Sequence, residues 1–138
     1  MASEFTLLMI KPDAVARGCV GQIIARLEAE GFRLAQMRLA RLDRAQAESF
    51  YGVHRGKAFF ADLVQFVVSG PVVPMVLERE DAVAGLRRLI GPTDSREAAP
   101  GTIRGDFGTD QQRNAVHASD SPASARAEIA FFFGTARG

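Results

Sequence analysis

The sequence is poor in the side chains that build disulfides and protein-held metal sites. Cys19 is the only cysteine, which excludes an intrachain disulfide framework and any cysteine-based zinc site. His54 and His117 are the only histidines, so a histidine-rich metal site is excluded as well. No apolar run approaches the roughly 18 residues that a membrane span needs. Met1-Ala2-Ser3-Glu4 offers neither a basic n-region nor a cleavable apolar segment, and the expectation is a cytosolic protein. Seventeen Lys and Arg against 16 Asp and Glu leave a net charge of +1, too little to drive nonspecific nucleic-acid binding through counterion release. A local basic pocket remains open. There is no Gly-rich loop ending in Gly-Lys-Ser or Gly-Lys-Thr and no Gly-x-Gly-x-x-Gly, so any nucleotide must be held by another kind of cradle. Internal repeats, low-complexity tracts and interdomain linkers are also absent.

What is present suits one packed domain over residues 1–138, with 47% hydrophobic and 24% charged residues. Phe5 to Ile10 is a short apolar run stopped by Lys11-Pro12-Asp13, the pattern of a buried strand ending at a turn. Val20, Ile23, Ile24 and Leu27 have helical spacing, and Gly31 is placed to end that helix. Phe32 to Leu42 alternates as a strand, and Asp43 with Gln46 forms a capping box for a short helix whose last turn carries Tyr51. Phe60, Leu63, Val64 and Val67 predict a helix, Val72 to Leu77 a central strand, and Val83, Leu86, Leu89 and Ile90 another helix. From Gly91 to His117 periodicity disappears, which predicts a long and functional loop. Ser121-Pro122 starts a helix, Ile129 to Phe133 reads as a last apolar strand, and Gly134 to Gly138 as a frayed tail. The order predicts an α/β (α+β) sandwich in which helices cover one small sheet. It is compatible with a ferredoxin-like βαββαβ core, elaborated by extra helical structure between the second and third strands.

Lys11, Arg87, Thr93 and Arg104 fall at element ends or in the irregular loop. Arg forks bind phosphate oxygens in pairs and Lys acts as a point charge, so these types suit a polyphosphate. Singly, each is more readily read as a solvated surface group, because such side chains are mostly exposed. His117 sits where the long loop meets the capped helix, a place where a side chain can face a cleft and still be held. His54 has no such setting and is read as a structural or surface residue.

Four segments carry a resemblance: Ile10-Lys11-Pro12-Asp13-Ala14, Ser69-Gly70-Pro71-Val72-Val73, Pro100-Gly101-Thr102-Ile103-Arg104-Gly105-Asp106-Phe107 and Asn114-Ala115-Val116-His117-Ala118-Ser119-Asp120-Ser121. In order and spacing they resemble the signature segments of nucleoside diphosphate kinases, over about Phe5 to Phe133. The resemblance implies a four-stranded antiparallel sheet covered by helices, with a long active-site loop. It also implies a ping-pong phosphotransferase in which His117 takes the γ-phosphoryl group of a nucleoside triphosphate, holds it as phosphohistidine and passes it to a nucleoside diphosphate. By matching position, Lys11, Arg87, Thr93, Arg104 and Asn114 contact phosphates and sugar. Tyr51 lies beside Lys11 and the histidine, Phe59 stacks on the base, and Ser119 and Glu128 orient the imidazole. Mg²⁺ arrives on the nucleotide's phosphates and water, with no protein ligand set of its own. The family also implies a homo-oligomer, whose size the sequence does not give.

Four positions depart from the family's usual pattern. Ala58 and Ser95 stand where proline is common, which is expected to loosen the helix start at Phe59 and the phosphate loop. Gln111 replaces an aliphatic residue in the second wall of the base clamp. Ala118 replaces glycine, and is strained if that backbone needs positive φ. The alternative reading is a catalytically silent nucleotide-binding or interaction module on the same fold. Against it stands the joint presence of His117, Lys11, Arg104, Asn114 and Glu128.

Overall fold

A computed structural model describes residues 3–134 of the chain. Its strands are β1 (Glu4–Ile10), β2 (Arg33–Met37), β3 (Val73–Arg79) and β4 (Val116–Ala118). They form one antiparallel sheet in the order β2-β3-β1-β4. The helices are α1 (Pro12–Ala16), α2 (Val20–Ala29), α3 (Arg44–Phe50), α4 (Phe60–Val67), α5 (Ala82–Ile90), α6 (Ile103–Phe107) and α7 (Pro122–Phe133). This is the expected ferredoxin-like plan, with α3 and α4 inserted between β2 and β3. Among the described residues no helix is long and apolar enough to cross a membrane.

Strand alternation divides the interior in two. Leu8 and Ile10 of β1 pack with Ile23, Leu27 and Leu86 of α2 and α5 on one face. Leu7 and Met9 pack with Ala47, Val64, Val67 and Phe132 of α3, α4 and α7 on the other. Leu7 through Ile10 are completely buried, as a strand covered on both faces requires.

Local signals did their expected work. Asp43 accepts from the Gln46 N–H at 2.7 Å and the Gln46 side chain accepts from the Asp43 N–H at 2.9 Å, closing the capping box of α3. Gly31, at φ 87°, ends α2 while the Phe32 N–H donates to the Leu27 carbonyl and the Gly31 N–H to that of Glu28, a Schellman ending.

Four expectations need correction. Ile129 to Phe133 is not a strand but the second half of α7, which runs unbroken from its Ser121 cap to Gly134 at φ 79°. A short apolar run fits a buried helix as well as a strand, and here Ala125 and Phe132, seven residues apart, are buried on one helical face. The fourth strand is instead β4, with His117 in its middle. The expected strand from Phe32 to Leu42 is regular only over Arg33–Met37, with a register shift between Leu34 and Gln36 and one isolated bridge from Ala40 to Val72. The turn after β1 is a short helix, with Pro12 at its first position.

The segment from Gly91 to His117 is also not wholly irregular. It contains a 3₁₀ turn at Ser95–Glu97 and α6, capped by Thr102, whose hydroxyl accepts from the Gly105 N–H. It is tied to α2 and its approach by Arg26, which pairs with Asp106, and by Arg17, which donates to the Phe107 carbonyl at 2.6 Å. A Cβ on Gly105 would lie 2.2 Å from the Ala99 carbonyl oxygen, so this fold of the loop requires glycine there. Of the expected tail, residues 135–138 lie outside the described residues.

Candidate active site

The pairing of β4 with β1 aims the histidine. His117 stands opposite Met9, so both point to the α3–α4–α7 face, while Val116 and Ala118 point into the other core. On that face Phe50 and Tyr51 set their rings against the imidazole at 5.1 and 5.9 Å between centroids. Glu128 comes from the middle of α7, and its Oε1 lies 3.0 Å from His117 Nε2. Ser119 Oγ donates to the same oxygen at 2.7 Å. A carboxylate only accepts, so Nε2 carries the hydrogen and Nδ1 keeps its lone pair.

β4 is an edge strand, and its outer carbonyls at Val116 and Ala118 are taken by two guanidinium groups. Arg104 donates to the Val116 carbonyl at 2.9 Å and to that of Gly91 at 3.1 Å. Arg87 donates to the Ala118 carbonyl at 3.3 Å. Both cations are thereby fixed beside the histidine by the strand that carries it. Arg104 is buried, and its Nε has no protein partner. Burial, assisted by Arg87, lowers its pKa to about 10, so it remains charged at neutral pH.

Lys11, just past the end of β1, donates to Asn114 Oδ1 and to the Gln112 carbonyl, each at 2.9 Å. The Asn114 amide donates in turn to the carbonyls of Thr93 and Gln111, at 2.9 and 3.0 Å. Burial pushes the Lys11 ammonium down to about 8, with Arg104 adding to the fall and Asp13 and Asp110 opposing it. The Tyr51 hydroxyl is buried without a protein partner, and burial followed by the nearby Glu128 charge raises its pKa, so it remains an O–H donor.

These groups line one cleft of about 580 Å³, a volume suited to a single small-molecule ligand. Every site residue expected from the sequence lines it except Ser119, which is fully buried and acts on Glu128. Phe59 stands 47% exposed on its wall, with its ring available for stacking. The arrangement joins a nitrogen with a free lone pair to three cations, a hydroxyl donor and an aromatic platform. It can hold a polyphosphate and attack it.

Residues 4–137 match the family model described as nucleoside diphosphate kinase. A nucleoside diphosphate kinase of Leptothrix cholodnii is 55% identical over 133 residues, which cover 96% of this chain and 94% of that protein. One of Staphylothermus marinus is 53% identical over the same shares. This chain belongs to the nucleoside diphosphate kinase family. The nucleoside diphosphate kinase of Aquifex aeolicus, as a crystal structure, superposes with a TM-score of 0.94 at 51% identity, covering 96% of each chain. That of Halobacterium salinarum, solved in complex with CDP, superposes at 0.93 with 45% identity, covering 96% of this chain and 88% of its own. The fold and the activity class, a phosphotransferase, follow from this likeness.

The departures from the family pattern take definite places in the fold. Ala118 is unstrained, because it sits in the β4 ladder opposite Leu8. The left-handed residue is Ala115, at φ 74°. Ser95 is buried in its loop, its hydroxyl without a protein partner and so close to Gly108 that a Cβ there would come within 1.9 Å. Its N–H, which a proline would lack, donates to the Asp110 carbonyl at 3.2 Å. Gln111 lines the cleft that also contains Phe59. His54, for which the sequence suggests only a structural or surface place, lines the cleft as well, 5.2 Å from the Phe59 ring and with Nδ1 3.2 Å from the Lys57 ammonium. Burial and then Lys57 lower its pKa, which favours the neutral ring. Asp120 is a further cleft residue that sequence reasoning misses.

Among the described residues no group of three or more His, Cys, Asp and Glu could hold a metal ion. Glu128 is engaged by His117 and Ser119. Asp120 is the other carboxylate of the cleft, held by the Ser124 hydroxyl at 2.7 Å. One spare carboxylate fits an ion carried chiefly by substrate phosphates and water, as Mg²⁺ is.

Proposed function

We propose that the chain, as one domain over residues 1–138, transfers the γ-phosphoryl group between nucleotides through a phosphohistidine on His117. The observation that carries this is the engagement of His117 Nε2 by Glu128, which leaves Nδ1 as the nitrogen with a free lone pair beside fixed cations. Nδ1 forms a bond to the γ-phosphorus while the bond from that phosphorus to the bridging oxygen breaks, and the diphosphate leaves with the electron pair. A second nucleoside diphosphate then attacks the phosphorus through a terminal oxygen, and His117 regains its lone pair. Because phosphoryl transfer spreads charge over equatorial oxygens, the protein's contribution is position and electrostatics. Arg104 and Arg87 meet phosphate oxygens, Lys11 and Asn114 meet the transferring phosphate and ribose hydroxyls, and the Tyr51 O–H donates beside the histidine. Thr93 completes the phosphate contacts. Mg²⁺, when bound, would supply charge neutralisation on the phosphates, and Asp120 is the cleft carboxylate that would help to hold it.

The substrates proposed are ribo- and deoxynucleoside triphosphates and diphosphates, ATP and GDP among them, with the protein acting in the cytoplasm as a homo-oligomer. Exposed Met37 and Leu39, at the end of edge strand β2 and just beyond it, give apolar surface suited to such assembly. The test of the ping-pong cycle is initial-rate kinetics with both substrates varied. Parallel double-reciprocal lines are expected, and intersecting lines would require a ternary complex.

Two further results are expected. Phe59→Ala raises KM about 10- to 100-fold, in similar proportion for every base, because stacking reads a π-face and not an edge. Loss confined to one base would mean edge recognition, with Gln111 the first suspect. In pH profiles, kcat/KM falls above about pH 8 as free Lys11 loses its proton. The kcat profile falls at higher pH, because bound polyphosphate stabilises the ammonium form. A kcat/KM profile flat to about pH 10 contradicts this use of Lys11.

A further inference from the structure

Ala115 is one of only two non-glycine residues with positive φ among the described residues, and it separates Asn114 from β4. Such a residue persists only where its surroundings over-determine it. The Val116 N–H donates to the Asn114 carbonyl at 2.9 Å, closing a strained γ-turn centred on Ala115, and two contacts from the far side of the chain hold the peptides on either side of it. The Lys11 N–H donates to the Ala115 carbonyl at 2.8 Å, and Asp13 Oδ2 accepts from the Ala115 N–H at 3.0 Å. The first is a continuation of the β1–β4 ladder. The second is a side chain reaching across 102 positions of sequence.

We propose that Asp13 is a positioning residue for phosphoryl transfer, holding Ala115 in its left-handed conformation so that Asn114 meets Lys11 while β4 presents His117. This deepens the phosphohistidine reading and rests on it. Without the turn at Ala115 an extended chain would carry Asn114 on along the strand, away from Lys11 Nζ and the carbonyls of Thr93 and Gln111 that it now bridges. The carboxylate is held at a cost. Oδ1 is buried without a protein partner, and burial raises the Asp13 pKa against the opposing Ala115 N–H and Lys11 charge. An acid in the first turn of the five-residue α1 also helps that helix, but an exposed carboxylate serves that purpose equally well.

The test is a double-mutant cycle of Asp13→Ala with Ala115→Gly, with Asp13→Asn as the conservative variant. It is read by single-turnover phosphorylation of the enzyme by Mg-ATP, by ADP affinity, and by crystal structures. Asp13→Ala is expected to slow phosphorylation about 100-fold, the cost of a displacement near 1 Å, with a smaller change in ADP affinity. Asp13→Asn keeps an acceptor for the Ala115 N–H and holds the loss within about tenfold. Glycine adopts positive φ without a steric penalty, so Ala115→Gly returns about tenfold of the rate lost in Asp13→Ala. In the Asp13→Ala crystal structure Ala115 takes negative φ. Losses from Asp13→Ala that are equal with and without the Ala115→Gly change, or retention of positive φ without Asp13, overturn the proposal. If Asp13→Ala fails to fold, the Asn variant and its structure carry the test: a 100-fold loss there with Ala115 unmoved overturns it. Absence of phosphorylation in the unaltered enzyme would instead defeat the phosphohistidine reading, while the crystal structures still report on Ala115.

Discussion

Replacing His117 by asparagine lowers turnover by at least about 10⁴-fold while nucleotide binding is kept. The carboxamide nitrogen has its lone pair delocalised into the carbonyl and cannot take a phosphoryl group. Little else in the site depends on the imidazole. Arg104 and Arg87 are held by β4 carbonyls, Lys11 by Asn114 and the Gln112 carbonyl, and Ser119 still donates to Glu128. The phosphate cradle therefore survives the change. Turnover assays with ATP and a deoxynucleoside diphosphate, beside calorimetric titration with ADP, check both halves. Turnover kept within about tenfold would sink the covalent route.

Arg104→Ala is expected to lower kcat/KM about 10³-fold and to lower stability by about 1–3 kcal/mol. The catalytic loss reflects removal of a buried cation whose Nε is free of protein partners while its other nitrogens are tied to Gly91 and Val116. Such a group is aimed before substrate arrives and needs no reorganisation as charge develops. The stability loss follows from leaving those two carbonyls unpaired beside a cavity. Arg104→Lys keeps the charge without the fork, and should recover only part of the rate. Steady-state kinetics and urea denaturation separate the two effects. A raised KM with unchanged kcat would confine Arg104 to ground-state binding.

Local signals explain which parts of this molecule can be read from its sequence. The strand ending at Lys11, the reciprocal cap at Asp43 and Gln46, and the glycine ending of α2 each depend on a few adjacent residues, and each is where it is expected. β4 is invisible in the sequence because three residues have no measurable period; its strand character comes from pairing with β1 and from the arginines on its outer edge. The same blindness makes the apolar end of α7 read as a strand in its place. In the site, the resemblance identifies the residues that line the cleft, but not why they stay there. That Arg87 and Arg104 bond to the strand bearing the histidine depends on tertiary contact. So does the grip of Asp13 on Ala115. The pattern points to strain at Ala118, where a glycine is missing, and the structure has it three residues earlier.

Carriage of the phosphoryl group between two nucleotides on His117 is what every role proposed for the cleft depends on. The most direct measurement is incubation with γ-labelled ATP and Mg²⁺, isolation of the protein, and a chase with GDP. The expected result is label that is acid-labile, alkali-stable, located on His117 and passed to GDP on the chase. Folded, nucleotide-binding protein that takes up no label, or label that GDP does not remove, would contradict it.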